Sequence, residues 1–181
     1  MNDSEKKKEK VKVTIIGDGG VGKTSLIQKF TQGTFEKEYI KTIGAQISNY
    51  KVESNGYRTE LLFWDIAGQD DFHFLRPSFY RASKAAIIVY SLEENNLGKR
   101  SIKSILRWRA DVKEFCGDIP ILIFANKVDL INEENLNKAY LQEFINEHHF
   151  LKYFITSALT GQGVHNAFEF LIKELKKNTN Y

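Results

Sequence analysis

Residues 17–24 read Gly-Asp-Gly-Gly-Val-Gly-Lys-Thr and follow directly on the alternating apolar stretch Val11-Lys12-Val13-Thr14-Ile15-Ile16. Every fixed position of the pattern G-x-x-x-x-G-K-[ST] is present, after a strand-like run as that pattern requires. Gly17, Gly19, Gly20 and Gly22 let the backbone turn its N–H groups inward around phosphate oxygens, and the helix that follows presents its positive end to the same charge. The stretch therefore predicts a nucleoside triphosphate as ligand. Lys23 is placed to reach the outer phosphates, and Thr24 has its hydroxyl where Mg²⁺ would be held.

Outward from this loop, strand and helix patterns take turns, the mark of helices packed on both faces of a mostly parallel sheet. Residues 11–16, 85–91, 120–126 and 152–156 read as buried strands. Two more, 45–52 and 58–66, are joined by Ser54-Asn55-Gly56 and predict an antiparallel hairpin at one edge. Helical stripes recur at Leu26, Ile27 and Phe30; at Ile105, Trp108, Val112 and Phe115; at Leu136, Tyr140, Leu141, Phe144 and Ile145; and at Val164, Ala167, Phe168, Leu171 and Leu175. The fold expected is α/β, a single domain over 11–177 with a six-stranded, mostly parallel sheet and one antiparallel edge strand. Residues 1–10 read as a disordered polar leader and 178–181 as a C-terminal tail.

The 181 residues suffice to bury roughly 70% of the unfolded chain's surface. Cys116 stands alone, so no internal disulfide forms, and no apolar run approaches the ~18 residues of a membrane span. The start MNDSEKKKEK does not resemble a secretory signal, and a soluble, cytoplasmic protein is expected. In that leader Lys6, Lys7, Lys8 and Lys10 are offset by Asp3, Glu5 and Glu9, and no aromatic residues are interleaved to stack bases. Nucleic acid is not expected as a partner.

Four further motifs follow in order: FEKEYIKTIG at 35–44, WDIAGQD at 64–70, NKVD at 126–129 and TSAL at 156–159. With the glycine loop they resemble the Ras superfamily of small GTPases, most closely its Rab branch, over residues 10–177. The resemblance implies the P-loop NTPase fold, bound GTP or GDP with Mg²⁺, and slow GTP hydrolysis that works as a molecular switch in membrane trafficking or signalling. It assigns nucleotide contacts to residues 17–25 (Gly17, Asp18, Gly19, Gly20, Val21, Gly22, Lys23, Thr24 and Ser25). Further contacts fall to Phe35, Tyr39, Thr42, Gly68, Asn126, Lys127, Asp129, Ser157, Ala158 and Leu159. The metal falls to Thr24, Thr42 and Asp65.

In this family Thr42 and the Gly68 N–H hold the γ-phosphate, so hydrolysis releases both loops together. Gln69 orients the attacking water while Lys23 neutralises charge, so the catalysis is positioning rather than acid–base chemistry. By the same resemblance Asp129 accepts hydrogen bonds from the guanine N1 and N2 donors, which adenine lacks. Asn126 ties that loop to the phosphate loop, the Lys127 stem packs along the purine, Ala158 offers an N–H to O6, and Phe35 covers the other side.

The switch at 35–41 carries no arginine, so hydrolysis unaided is expected to be slow. In Ras a partner-supplied arginine accelerates it by about 10⁵-fold, and Gly19 and Gly20 leave room for such an insertion. Exchange factor, activating protein and effectors are expected on residues 35–50 and 64–80 of a monomer.

Three departures stand out. Leu159 replaces the lysine common after Ser-Ala; Ala45, Gln46 and Ile47 replace Val-Asp-Phe; and the end KKNTNY has no lipid-accepting cysteine, so the chain is either truncated or not prenylated. Lys173, Lys176 and Lys177 then read as a solvated helix end, with weak membrane contact as the alternative. Trp64 is either a buried strand residue or part of an effector platform. Two other functions stay open, a nucleotide-locked binding module and a small-molecule kinase. The intact Lys23, Thr24, Thr42, Asp65 and Gln69 oppose the first, and the guanine motif opposes the second.

Overall fold

A computed structural model describes residues 8–31, 45–54, 57–66 and 76–178. The order is β1 (Lys8–Ile16), α1 (Lys23–Thr31), β2 (Ala45–Ser54), β3 (Tyr57–Ile66), α2 (Arg76–Tyr80), β4 (Ala85–Ser91), α3 (Asn96–Lys103), α4 (Ile105–Cys116), β5 (Ile121–Asn126), α5 (Lys138–Glu147), β6 (Lys152–Thr156) and α6 (Val164–Asn178). Two 3-10 turns, Val128–Leu130 and Glu133–Asn135, lie between β5 and α5.

The six strands form one sheet in the order β2-β3-β1-β4-β5-β6. Among the described strands only β2 and β3 pair antiparallel, as the expected edge hairpin, and the other described pairs are parallel. β1 begins at Lys8, inside the expected leader, because Lys8, Glu9 and Lys10 pair with Arg58, Thr59 and Glu60. Backbone pairing carries the strand three residues beyond its apolar alternation.

The period of two in each strand divides the core. Ala85, Ile87 and Val89 of β4 pack with Val13, Ile15, Phe63 and Phe124 beneath α1 and α6, through Leu26, Ile27, Phe30, Phe168 and Leu171. Ala86, Ile88 and Tyr90 face the opposite layer, made by Tyr80 of α2, Ile105, Trp108 and Val112 of α4, and Ile145 of α5. All seven β4 residues are buried, as befits a parallel strand covered on both faces. The predicted stripe at 136–145 fits α5 less well. Leu136 precedes the helix, and Tyr140 is 57% exposed because only Leu141, Phe144 and Ile145 turn toward the sheet.

α3 had no counterpart in the hydrophobic pattern, since Asn96-Leu97-Gly98-Lys99-Arg100 shows no apolar stripe. The Asn95 side chain caps it by accepting from the Gly98 N–H at 3.1 Å, and it runs into α4 at Ser104. No described helix is long and apolar enough to cross a membrane.

Candidate functional site

From β1 the chain moves first to one side of the sheet (β3) and then to the other (β4), so the strand order reverses at β1. In such sheets ligands bind at the carboxyl ends of the strands beside that reversal. The residues singled out from sequence collect there. Gly17 to Gly22 leave β1; Asp65 pairs in register with Ile15 at the end of β3; Asn126 ends β5; and Ser157 follows β6.

Gly17, Gly20 and Gly22 all have positive φ, which folds the loop back over the start of α1. At Gly22 a Cβ would stand 2.3 Å from Asn126 Nδ2, so the glycine loop and the loop after β5 touch where only glycine fits. Gly19 is open, with nothing within 4 Å of an added Cβ, whereas Leu97 Cδ2 stands 3.4 Å from one at Gly20. Gly19 is thus the more open of the two glycines.

Lys23 is buried, and its Nζ donates to Gly17 O at 2.9 Å and Asp18 O at 3.0 Å. Burial lowers its pKa against the opposing pull of Asp65 and Asp18. Thr24 donates its hydroxyl to Asp65 Oδ2, and Ser25 beside it is exposed. Burial raises the Asp65 pKa, offset in part by the Thr24 hydrogen bond and the Lys23 charge. Both charges are thus held away from water, each partly offset by the other and by its hydrogen bonds.

Asp18 behaves differently from the contact expected of it. Its buried carboxylate turns away from the loop, accepting from Trp108 Nε1 and Ser104 Oγ at 3.0 Å each. Arg100 and Arg107 each approach it at 3.5 Å. Only its backbone remains for phosphate. The sequence carried no signal for this arrangement beyond Trp108, which was read as core alone.

Asn126 is fully buried and connects three segments. Its Nδ2 donates to Val21 O at 2.8 Å, while its Oδ1 accepts from the Ala158 N–H at 3.1 Å and Thr156 Oγ1 at 3.3 Å. The expected tie to the phosphate loop is present. The Ala158 N–H, expected to read a purine oxygen, is already committed to Asn126 and would have to be shared.

Ser157 orders its loop by accepting from the Thr160 N–H at 3.0 Å. Lys127 sits in the left-handed region at φ 69°, and its Nζ meets Glu93 Oε2 at 2.5 Å. Asp129 is exposed and makes no hydrogen bond or ion pair among the described residues, which leaves its acceptors open. Leu159 is 76% exposed, an apolar side chain standing beside this loop. Lys29 Nζ donates to the Leu159 carbonyl at 3.2 Å, bringing an ammonium to the segment that lacks the expected lysine.

Phe35, Tyr39, Thr42, Gly68 and Gln69 lie outside the described residues. Trp64 falls between its two readings. It is half-buried against Phe79, with Lys12 Nζ 3.8 Å from its ring centre.

The sequence profile of the Ras family matches residues 12–177. The Ras-related protein Rab-18 of Lymnaea stagnalis is 35% identical over 167 residues, covering 91% of this chain and 80% of that protein. Rab-13 of Rattus norvegicus is 32% identical, covering 93% and 81%, and Rab-9A of Homo sapiens is 32% identical, covering 91% and 82%. On the strength of the profile match, these relatives and the loops gathered at the strand ends, the chain belongs to the Ras family of GTP-binding small GTPases and is of Rab type.

Proposed function

We propose that this chain hydrolyses GTP to GDP and phosphate, and that the change in bound nucleotide switches its contacts with partners at a membrane surface. The observation that carries the reading is the buried pair of opposite charges beneath the glycine loop, with Lys23 bonded to the loop carbonyls and Asp65 to Thr24. Lys23 and Asp65 are both buried, and burial disfavours the charged form of each. A polyphosphate adds negative charge beside Lys23, and a divalent cation adds positive charge beside Asp65.

The donor set fits Mg²⁺. This ion takes hard oxygen ligands, uses one or two protein groups and fills its remaining positions with water and phosphate oxygens. Thr24 Oγ1 and Asp65 Oδ2 are such oxygens, already in contact, and Thr42 is the third proposed ligand. When bound, the ion neutralises charge that develops on the phosphate oxygens.

The remaining work belongs to the chain. Loop N–H groups from Gly19 to Lys23 orient the phosphates, and Lys23 balances charge on the transferred group. Gln69 aligns the attacking water in line with the breaking bond, and Gly68 and Thr42 sense the γ-phosphate. Asp129 selects guanine by leaving a carboxylate unpaired opposite any base without two adjacent donors. Leu159 lays apolar surface against the purine in place of a lysine stem.

The test is single-turnover phosphate release from GTP-loaded protein with Mg²⁺. Slow release by the wild type and strong slowing in Gln69→Leu, with nucleotide affinity retained, support the reading. A Gln69→Leu rate equal to wild type removes Gln69 from the mechanism.

A further inference from the structure

α3 touches both halves of the nucleotide site. In the turn that leads into it the Glu93 carboxylate receives Lys127 Nζ at 2.5 Å and Ser91 Oγ at 2.8 Å on Oε2, and Asn95 Nδ2 at 3.2 Å on Oε1. Asn95 is also the α3 cap, and Gly98 within the helix packs so closely on Glu93 that a Cβ would stand 1.8 Å from the Glu93 carbonyl oxygen. Glu93 is therefore held from its side chain and from its backbone.

The far side of the same helix meets the phosphate loop. Leu97 lies over Gly20, Arg100 approaches Asp18, and Ser104 at the end of the helix donates to Asp18. Ser101 fixes the middle by accepting from the Ser91 N–H at 3.0 Å. The helix and the turn that leads into it are thus bonded to the loop after β1, through Arg100 and Ser104, and to the loop after β5, through Glu93.

We propose that Glu93 is a positioning residue acting through Lys127, and that α3 is a brace that sets how long nucleotide is retained. The inference rests on the guanine-nucleotide site proposed above. The Lys127–Glu93 pair is mostly shielded, with 24% and 18% of the two side chains exposed, so it is screened less than a surface pair. Lys127 also holds a left-handed backbone, a conformation that surrounding contacts must enforce. Releasing its ammonium frees the residue that joins Asn126 to the Val128–Leu130 turn. Opening of that loop then no longer has to break the tie to α3, and nucleotide leaves faster.

The experiment is a double-mutant cycle read by release of fluorescent GDP from loaded protein. Glu93→Gln removes the charge, and Lys127→Met removes the ammonium while keeping the apolar stem. Each single variant is expected to release GDP about tenfold faster than wild type, the scale of one lost hydrogen bond to a charged group. The double variant is expected to match the singles, because each change removes the same pair. Glu93→Asp, with charge retained on a shorter stem, is expected to fall between wild type and Glu93→Gln.

Release by Glu93→Gln within twofold of wild type overturns the proposal, as does a double variant near a hundredfold, which would mean the two residues act separately. If Glu93→Gln is not recovered folded, Glu93→Asp takes its place in the cycle with the same expected signs. A wild-type protein that retains no GDP would overturn the nucleotide site itself, an outcome distinct from a failure confined to the variants.

Discussion

Asn126→Ala is the perturbation whose consequences follow most completely from the structure. The side chain is fully buried and makes three hydrogen bonds, to Val21 O, Thr156 Oγ1 and the Ala158 N–H. Truncation leaves three groups without that partner. A buried group so abandoned costs about 1–3 kcal/mol. The Val21 carbonyl is enclosed and takes a middle value; Thr156 can rotate its hydroxyl and Ala158 is half-buried, so both take the low end.

The total is about 3–4 kcal/mol, near the upper range for one substitution. For a domain of this size that is a fall in Tm of roughly 10 °C. The severed bonds are also those that join the glycine loop to the loops after β5 and β6, so GDP release should accelerate at least tenfold. Thermal melting and fluorescent GDP displacement read the two effects. Asn126→Asp sharpens the test, because it keeps an acceptor for Ala158 but sets a buried carboxylate oxygen against Val21 O. A Tm within about 3 °C of wild type for Asn126→Ala, with unchanged release, would refute the reasoning.

Gly22→Ala combines an unfavourable φ of +100° with a Cβ 2.3 Å from Asn126 Nδ2, so it should weaken nucleotide binding by an order of magnitude or more; normal affinity in a titration would show that the two loops are not locked there. Asp129→Asn should exchange preference for guanine against xanthine nucleotides, since the amide presents a donor where the carboxylate accepted; unchanged competition between GTP and xanthosine triphosphate would remove Asp129 from base selection. Lys12, which donates to Arg81 O at 2.9 Å, is lowered by burial from 10.5 to about 8. Between those values the unfolded chain binds the extra proton, so this residue makes stability rise with pH across that window. Urea denaturation of Lys12→Gln should show a flatter profile from pH 8 to 10.5 than wild type, Cys116 being common to both, and identical slopes would contradict the assignment.

The fold was legible because its periods are clean. The run at 85–91, six apolar residues and Ser91, read as a buried strand and is covered on both faces, and the glycine loop after an alternating run announced a helix behind it, which spans Lys23–Thr31. Legibility ended where backbone geometry or long-range polar contact decides. Lys8 to Lys10 join β1 through pairing with β3, which no local pattern encodes. α3 is held by an Asn95 cap and by Ser101 and Arg100 reaching other segments, contacts that leave no apolar stripe.

The site divides in the same way. Lys23, Thr24, Asp65 and Asn126 converge as their motifs predicted, since each motif is a strand end followed by a fixed offset. The side-chain direction of Asp18 and the partner of Lys127 depend on residues 82 and 34 positions away in sequence, at Arg100 and Glu93. Spacing rules do not reach across such separations.

The central claim is that the loops at the carboxyl ends of β1, β3, β5 and β6 enclose a guanine nucleotide. Protein purified with Mg²⁺ present, denatured, and its released small molecules separated by chromatography tests this directly. GDP or GTP at close to one per chain, with phosphate appearing over time in the GTP-loaded sample, is the predicted result. An adenine nucleotide, or no nucleotide after purification and none taken up from added GTP, would contradict it.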